Sequence, residues 1–264
     1  MLAHAMMARR IEFERPRGGG LARFLASRGW QTVAFDFRGH GDSGPGAADG
    51  ATWTYDDLVN HDLPAVVDCA RMRSGDAKVV VVGHSLGSHV ALASQGIGKL
   101  EADAIVMFAS NVWLRALEPS RARWLVKIGV ARAIEEVCRR RGYFPTRALR
   151  LGSDDEAAAY MVANACRGVR EGKWRSDDGV DYLGALANVK VPVLSIASDG
   201  DRLNCAPDCA ERFVEHVGGP HVFDRIRRAD DGGPAPGHMD MVTTESVKSV
   251  WGRAERWMRA VTTR

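Results

Sequence analysis

The sequence lacks any long apolar run. No stretch of about 18 consecutive apolar residues occurs, so we expect no membrane-spanning helix. The opening segment, Met1 to Ala5, is too short and too polar at its end to be a signal peptide. These absences predict a cytoplasmic protein.

Cysteine is scarce, and the spacing of the cysteines does not indicate a disulfide framework. The chain has 264 residues and five cysteines, and an odd number scattered over this length does not indicate a set of disulfides. Cys205 and Cys209 are close in sequence, but no second pair is present to complete a zinc site. We therefore expect reduced thiols and no bound metal.

Positive and negative charges are also nearly balanced, since the formal net charge is only +3. Basic residues concentrate between Arg121 and Arg132 and again from Arg139 to Arg141. Solvated helix faces explain both clusters, and a lid surface that attracts acidic substrates is the alternative. A nucleic-acid partner is not expected, because neither an extended basic surface nor a reading motif is present.

What the sequence does contain is an alternation of strand and helix patterns. Val79 to Val82 is a continuous β-branched run, typical of a strand buried on both faces, and a helical pattern follows from Leu86 to Ile97. Further strands are predicted at 31–36, 104–109, 191–197 and 221–226. Further helices are predicted around 21–25, after a capping residue at Asp62, and over 247–261. In the last of these helices, Trp251 and Trp257 should lie in the core. The order predicts an α/β fold with a mostly parallel sheet and helices on both faces.

A long excursion interrupts this alternation. About 80 residues between Ala109 and Val191 carry no strand pattern but contain helical stretches at 131–140 and 156–166. We interpret residues 111–190 as a helical cap inserted into a core made of residues 1–110 and 191–264. Trp113 and Trp124 of this cap are candidates for an apolar acyl pocket, with packing inside the cap as the alternative.

The candidate nucleophile is Ser85 in Gly83-His84-Ser85-Leu86-Gly87. A serine hydroxyl needs a sharp turn that exposes it and a base beside it, and glycines two residues away on either side permit the turn. The motif stands between a predicted strand and a predicted helix, as this chemistry requires. His84 should point away from the site, and His89 should pack within the following helix.

The candidate acid and base follow at the carboxyl ends of later strands, where sites form in open α/β sheets. Ser198-Asp199-Gly200-Asp201 comes after the strand at 191–197, and we favour Asp201 over Asp199, which suits a turn. Of the later histidines, His216 ends a helix and His221 starts a strand, whereas His238 follows a Gly- and Pro-rich loop. We therefore assign Asp201 and His238 as the partners of Ser85.

These residues resemble the α/β-hydrolase superfamily over essentially the whole chain. Asp36 to Ser43 is similar to the D-x-R-G-x-G-x-S loop that follows the family's strand 4, and it completes four motifs in family order. Gly142 to Pro145 resembles bacterial hydrolases of the serine aminopeptidase and monoacylglycerol-lipase-like branch. The resemblance implies a serine hydrolase that needs no cofactor. A dehalogenase is disfavoured, because Ser85 stands where that branch carries aspartate.

The resemblance also identifies an unusual beginning. His4-Ala5 stands where the family has His-Gly, which leaves only Met1 to Ala3 of strand 3, and strands 1 and 2 are absent. Strand 3 lies inside the family's sheet, so a stub there is costly, and we expect the natural chain to be longer. By the same resemblance, the oxyanion hole takes its N–H donors from Leu86 and Met6.

The leading functional hypothesis is hydrolysis of a carboxylic ester or related small acyl substrate through an acyl-enzyme on Ser85. Acyl transfer, peptidase and lactonase activities use the same triad and remain alternatives. A non-catalytic binding protein on a shortened hydrolase fold is the alternative from another class. The three catalytic residues argue against that alternative, and the short beginning of the chain argues for it.

Overall fold

The fold is built on one parallel sheet of six strands. The computed structural model describes residues 1–263. The strand order across the sheet is β2-β1-β3-β4-β7-β8, and every neighbouring pair is parallel. The strands are β1 (Leu2–Ala3), β2 (Ala34–Phe35), β3 (Val80–His84), β4 (Ala104–Phe108), β5 (Tyr143–Phe144), β6 (Glu156–Ala157), β7 (Val193–Ser198) and β8 (His221–Ile226).

Helices cover both faces of this sheet. They are α1 (Gly20–Ala26), α2 (Tyr55–Asp57), α3 (Leu63–Ser74), α4 (Leu86–Gly96), α5 (Arg121–Arg141), α6 (Ala158–Met161), α7 (Arg167–Glu171), α8 (Tyr182–Ala185), α9 (Pro207–Val214), α10 (Asp240–Thr243) and α11 (Lys248–Thr262). Side chains of β3 alternate between two buried clusters. Val80 and Val82 pack with α1 and α11, and Val81 packs with α3 and α4. The predicted α/β fold is confirmed.

The first strand lies inside the sheet, as the family resemblance implied. Leu2 is paired with Ala34 of β2 on one side and with Val82 of β3 on the other. The Leu2 N–H donates to the Val33 carbonyl at 2.8 Å, and the Val82 N–H donates to the Met1 carbonyl at 2.8 Å. Although β1 is only two residues long, it joins the two neighbouring strands.

Most predicted elements match the structure, with one clear shortening. The strands predicted at 104–109, 191–197 and 221–226 appear as β4, β7 and β8, and the helix predicted from Leu86 is α4. The strand predicted at 31–36 is reduced to Ala34–Phe35. The reason is its place at the sheet edge, where its one partner is the short strand β1.

The prediction that Asp62 caps a helix is wrong. The helical segment begins earlier, at Tyr55, where the Thr54 hydroxyl accepts from the Asp57 N–H and the Asp57 carboxylate accepts from the Thr54 N–H. A π-helical stretch, Leu58–Asp62, then joins α2 to α3. Asp62 has helical backbone angles, and its carboxylate binds the Arg38 guanidinium instead.

The segment between β4 and β7 is not purely helical, contrary to expectation. It holds α5, α6, α7 and α8, but also the antiparallel pair β5 and β6. Two-residue strands are too short to leave a periodic pattern in the sequence.

The basic cluster at the end of α5 lies on an exposed face, where Arg139 and Arg140 pair with Glu136. None of the helices described within residues 1–263 is both long enough and apolar enough to cross a bilayer.

Candidate active site

Ser85 stands at a sharp turn between β3 and α4. Its backbone angles, φ 48° and ψ −109°, are strained for a residue with a side chain. The flanking glycines are required by close backbone approaches. A Cβ on Gly83 would lie 2.3 Å from the Ser88 nitrogen, and one on Gly87 would lie 2.1 Å from the Ala3 carbonyl oxygen. The turn therefore has the geometry of a nucleophile elbow.

The structure brings Asp201 and His238 together. The Nδ1 atom of His238 is in direct hydrogen-bond contact with the Asp201 carboxylate, which is 3% exposed. Burial raises the pKa of Asp201, but the hydrogen bond and charge of His238 outweigh burial and hold that pKa below its ordinary value. Asp199 points elsewhere and binds the Arg225 guanidinium at 2.7 Å. Of the two candidate acids, Asp201 alone contacts His238 among the described residues.

His84 lies behind this pair, away from the substrate side. Its Nε2 lies 3.1 Å from the carbonyl oxygen of His238, and its Nδ1 lies 3.1 Å from a carboxylate oxygen of Glu12. Burial lowers the pKa of His84, but the carboxylate of Glu12 and the hydrogen bonds outweigh burial and raise it above the ordinary value. A carbonyl oxygen can only accept, so Nε2 of His84 donates to it and holds the backbone of His238 in place.

Two buried glutamates hold the loop that follows β1. The Ala5 N–H donates to Glu12 at 3.0 Å, and the Met7 N–H donates to Glu156 at 2.6 Å. The N–H of Met6, between them, makes no hydrogen bond within residues 1–263. Leu86, the first residue of α4, has its amide at a helix N-terminus, where N–H groups lack helical partners. Both amides named by the resemblance belong to residues that line the cavity beside Ser85.

His4 connects this loop to its neighbours. Its Nε2 accepts from the Phe37 N–H at 3.0 Å, so its Nδ1 is the atom that donates to the Ala5 carbonyl, 2.7 Å away. Burial lowers the pKa of His4 to about 4, which favours this neutral form. The His4 carbonyl in turn accepts from the Gly87 N–H at 3.2 Å. The loop is thereby joined to the elbow that carries Ser85.

Sequence reasoning missed three buried residues that hold the loops around the site, namely Glu12, Glu156 and His40. His40 Nε2 lies 3.1 Å from the Glu156 carboxylate, and both side chains are fully buried. Burial lowers the pKa of His40, but the charge and hydrogen bond of Glu156 outweigh burial and raise it to about 9. His40 was visible within the D-x-R-G-x-G-x-S loop, whereas nothing in the sequence marks either glutamate.

A cavity of about 380 Å³ opens beside Ser85 and His238. It is within the range of small-ligand sites. Residues from the segment between β4 and β7 form part of its wall, namely Asn111, Val112, Trp113, Val130, Ile134, Phe144, Leu151, Asn164 and Ala165. His89, expected only to pack, also lines this cavity while its Nδ1 contacts the Tyr55 hydroxyl at 2.9 Å.

Of the two tryptophans proposed for an acyl pocket, only Trp113 lines the cavity. Its indole N–H donates to the Asn204 carbonyl at 3.1 Å. Trp124 is half-buried on α5 and is not among the lining residues, so its assignment is corrected. Val130 and Ile134 lie on the cavity-facing side of α5. Because successive residues of a helix are about 100° apart, Trp124 lies about 120° around the helix from Val130.

Comparisons with solved structures agree with the fold. The monoacylglycerol lipase of Paleococcus ferrophilus aligns with a TM-score of 0.62 at 15% identity, over 98% of this chain and 93% of that one. A metagenome-derived lipolytic enzyme from a study of LipS and LipT aligns with a TM-score of 0.66 at 16% identity, over 98% and 92%. At these identities the likeness is one of fold.

Comparisons of sequence identify the family. The lysophosphatidylserine lipase ABHD12 of Xenopus tropicalis is 42% identical over 79 residues, 28% of this chain and 19% of that lipase. The match thus spans about a fifth of the relative's length. The family described as "Serine aminopeptidase, S33" matches residues 17–225. The chain therefore belongs to the serine aminopeptidase S33 family, and its fold is the α/β-hydrolase fold.

Proposed function

We propose that the protein hydrolyses small carboxylic esters through an acyl-enzyme on Ser85. One observation carries this proposal. Ser85, on a strained elbow, and His238, bound through Nδ1 to a buried Asp201, line the same cavity. No metal or organic cofactor is required by this chemistry.

The mechanism follows from the hydrogen bonds. The Asp201 carboxylate accepts from Nδ1–H of His238, so Nε2 of His238 has the free lone pair that takes the Ser85 proton. The Ser85 oxygen attacks the ester carbonyl carbon, and the resulting oxyanion accepts from the N–H groups of Leu86 and Met6. His238 then gives its proton to the leaving alcohol. Water, deprotonated by His238, then attacks the acyl carbon, and His238 returns this proton to the Ser85 oxygen as the bond between that oxygen and the acid breaks.

The composition of the cavity wall favours a neutral substrate. Within the described residues, the cavity is lined by no Lys, Arg, Asp or Glu side chain. A peptide amino terminus would need a carboxylate partner there, and a phosphorylated headgroup would need a basic one, because an unpaired buried charge is costly. We therefore favour an uncharged ester over an aminopeptidase or a lysophospholipid substrate.

The segment from 111 to 190 serves as the cap in this proposal. Its side chains Val130, Ile134 and Phe144 supply apolar surface to the cavity wall. They would hold the acyl chain and limit the entry of water, and the limit on water decides between hydrolysis and transfer to another acceptor. In this proposal residues 1–110 and 191–264 form the hydrolase core, and residues 111–190 form the cap.

Labelling with an active-site fluorophosphonate tests the proposed function. We expect a single adduct on Ser85, no adduct in Ser85→Ala, and at least about a hundredfold slower labelling in His238→Ala. The matched control is Ser88→Ala, since Ser88 is a buried serine on the next turn whose hydroxyl has no hydrogen-bond partner among the described residues. Folded protein that forms no adduct would contradict the proposal.

A further inference from the structure

Asn111 is an unusual member of the cavity wall. Its side chain is 8% exposed and lines the cavity beside Ser85. Within residues 1–263, neither Oδ1 nor Nδ2 has a hydrogen-bond partner. Buried polar side chains are normally hydrogen-bonded, and an unpaired amide in a largely apolar wall is costly. A group that completes both bonds is therefore expected to come from outside the chain.

The backbone places Asn111 beside the nucleophile. Ala109, directly after β4, has a strained positive φ of 49°. The next residue, Ser110, donates its hydroxyl to the Ser85 carbonyl at 2.7 Å. The segment that leads into Asn111 is thus tied directly to the backbone of Ser85. A polar group at this place in an otherwise apolar wall is suited to orient a bound substrate.

The other polar side chains of the wall differ from Asn111. Asn164 donates through Nδ2 to the Met6 sulfur at 3.3 Å, and Asn204 contacts its neighbours through its backbone. His89 is engaged at Nδ1 by the Tyr55 hydroxyl. Asn111 is the lining asparagine with both amide atoms buried and unpaired among the described residues.

We propose that Asn111 recognises a hydroxyl group on the substrate, so that the preferred substrates are neutral hydroxylated esters. A hydroxyl both donates and accepts at one oxygen, and can therefore pair with Oδ1 and Nδ2 together. A ketone or ether only accepts and would leave Oδ1 unpaired. A carboxylate or phosphate would bring a charge into a cavity that no Lys or Arg side chain lines among the described residues. This inference rests on the proposed esterase activity at Ser85.

The test compares wild-type protein on two matched pairs of esters. One pair places the hydroxyl on the acyl part, p-nitrophenyl 3-hydroxybutyrate against p-nitrophenyl butyrate. The other places it on the alcohol part, 2-hydroxyethyl butyrate against propyl butyrate. We expect kcat/KM to be about tenfold or more higher for the hydroxylated member of one pair. The pair that shows the preference identifies which side of the ester Asn111 contacts.

The variant Asn111→Leu keeps the branched shape of the side chain, with two larger methyl groups, and cannot hydrogen-bond. It should bring the kcat/KM ratio between the hydroxylated and the plain ester of the preferred pair to within about twofold, because the loss falls on the hydroxylated ester. Asn111→Ala serves as a second variant if the leucine disturbs folding. A wild-type preference below about twofold in both pairs, or a preference that survives both variants, overturns the inference.

The outcomes separate this inference from the proposed function. Wild-type protein that labels at Ser85 and hydrolyses plain esters without any hydroxyl preference contradicts only the role of Asn111. Wild-type protein that neither labels nor hydrolyses any of the four esters contradicts the proposed function itself. Equal losses on hydroxylated and plain esters in Asn111→Leu would show a structural role and would overturn the recognition role.

Discussion

Asp199 and Asp201 show how two carboxylates on one loop take different roles. Asp201 is nearly fully buried and contacts His238, whereas Asp199 is partly exposed and pairs with Arg225. Both follow β7, so the sequence alone can choose between them as the acid only from the residues that come after each of them. Their partners come from elements that lie more than 20 residues further along.

These two residues make a matched pair of variants. We expect Asp201→Asn to lower kcat on a p-nitrophenyl ester by about 10⁴, because an amide no longer favours the His238 tautomer with a free Nε2. Asp199→Asn should change kcat by less than about threefold, since an exposed ion pair contributes little. Steady-state kinetics of both variants measures the contrast. Equal losses would show that the assignment of the acid is wrong.

At the scale of elements, the turn between β3 and α4 depends on glycine for space. Gly87 approaches the carbonyl oxygen of Ala3, and this contact positions α4 against β1. Because the clashing atom belongs to the backbone, no side-chain rotation can relieve it. Gly129, in contrast, lies on the exposed side of α5 with nothing within 4 Å of an added Cβ.

The two glycines therefore predict opposite effects on stability. Gly87→Ala should lower the free energy of unfolding by about 2 kcal/mol or more and abolish labelling of Ser85. Gly129→Ala, in a helix with open space, should raise it by about 0.5–1 kcal/mol and leave labelling unchanged. Urea denaturation and fluorophosphonate labelling measure the two effects. A stable, labelled Gly87→Ala protein would contradict the elbow geometry.

At the scale of the molecule, the buried pair His40–Glu156 joins three parts of the chain. His40 belongs to the loop after β2, and Glu156 begins β6 in the segment between β4 and β7. The same glutamate accepts from the Met7 N–H in the loop after β1. The residue that follows Met6, the proposed oxyanion donor, is thus held by a residue of the proposed cap.

This pair predicts a pH-dependent contribution to stability. The pKa of His40 is raised from 6.5 to about 9, so the stabilisation is full below about pH 6.5 and declines as the pH rises through about 9. The difference in unfolding free energy between wild type and Glu156→Gln should therefore shrink between pH 6.5 and 9. Denaturant titrations across this range measure it.

The control for this prediction is Glu136→Gln, which removes an exposed carboxylate that pairs with Arg139 and Arg140 on α5. No histidine takes part in that pair, so the effect of the substitution should stay constant over the same pH range. A Glu156→Gln difference that is equally constant would contradict the protonated state of His40.

The sequence by itself determined the features that depend on neighbours in the chain. The β-branched run ending at Gly83 and the helical pattern after Leu86 located the elbow, because strand and helix periodicity are local properties. The alternation of strands and helices determined the fold class for the same reason. The order of Ser85, Asp201 and His238 along the chain made them candidates.

Only the tertiary structure decided which remote residues meet. Glu156 contacts Met7 across 149 positions of sequence, and no local pattern distinguishes this glutamate from an exposed one. The same holds for Asn111, whose unpaired amide is recognised only once the surrounding wall is in place. Burial and hydrogen-bond partners arise when distant segments pack together, and these set the charge, orientation and polarity that the proposed chemistry at Ser85 requires.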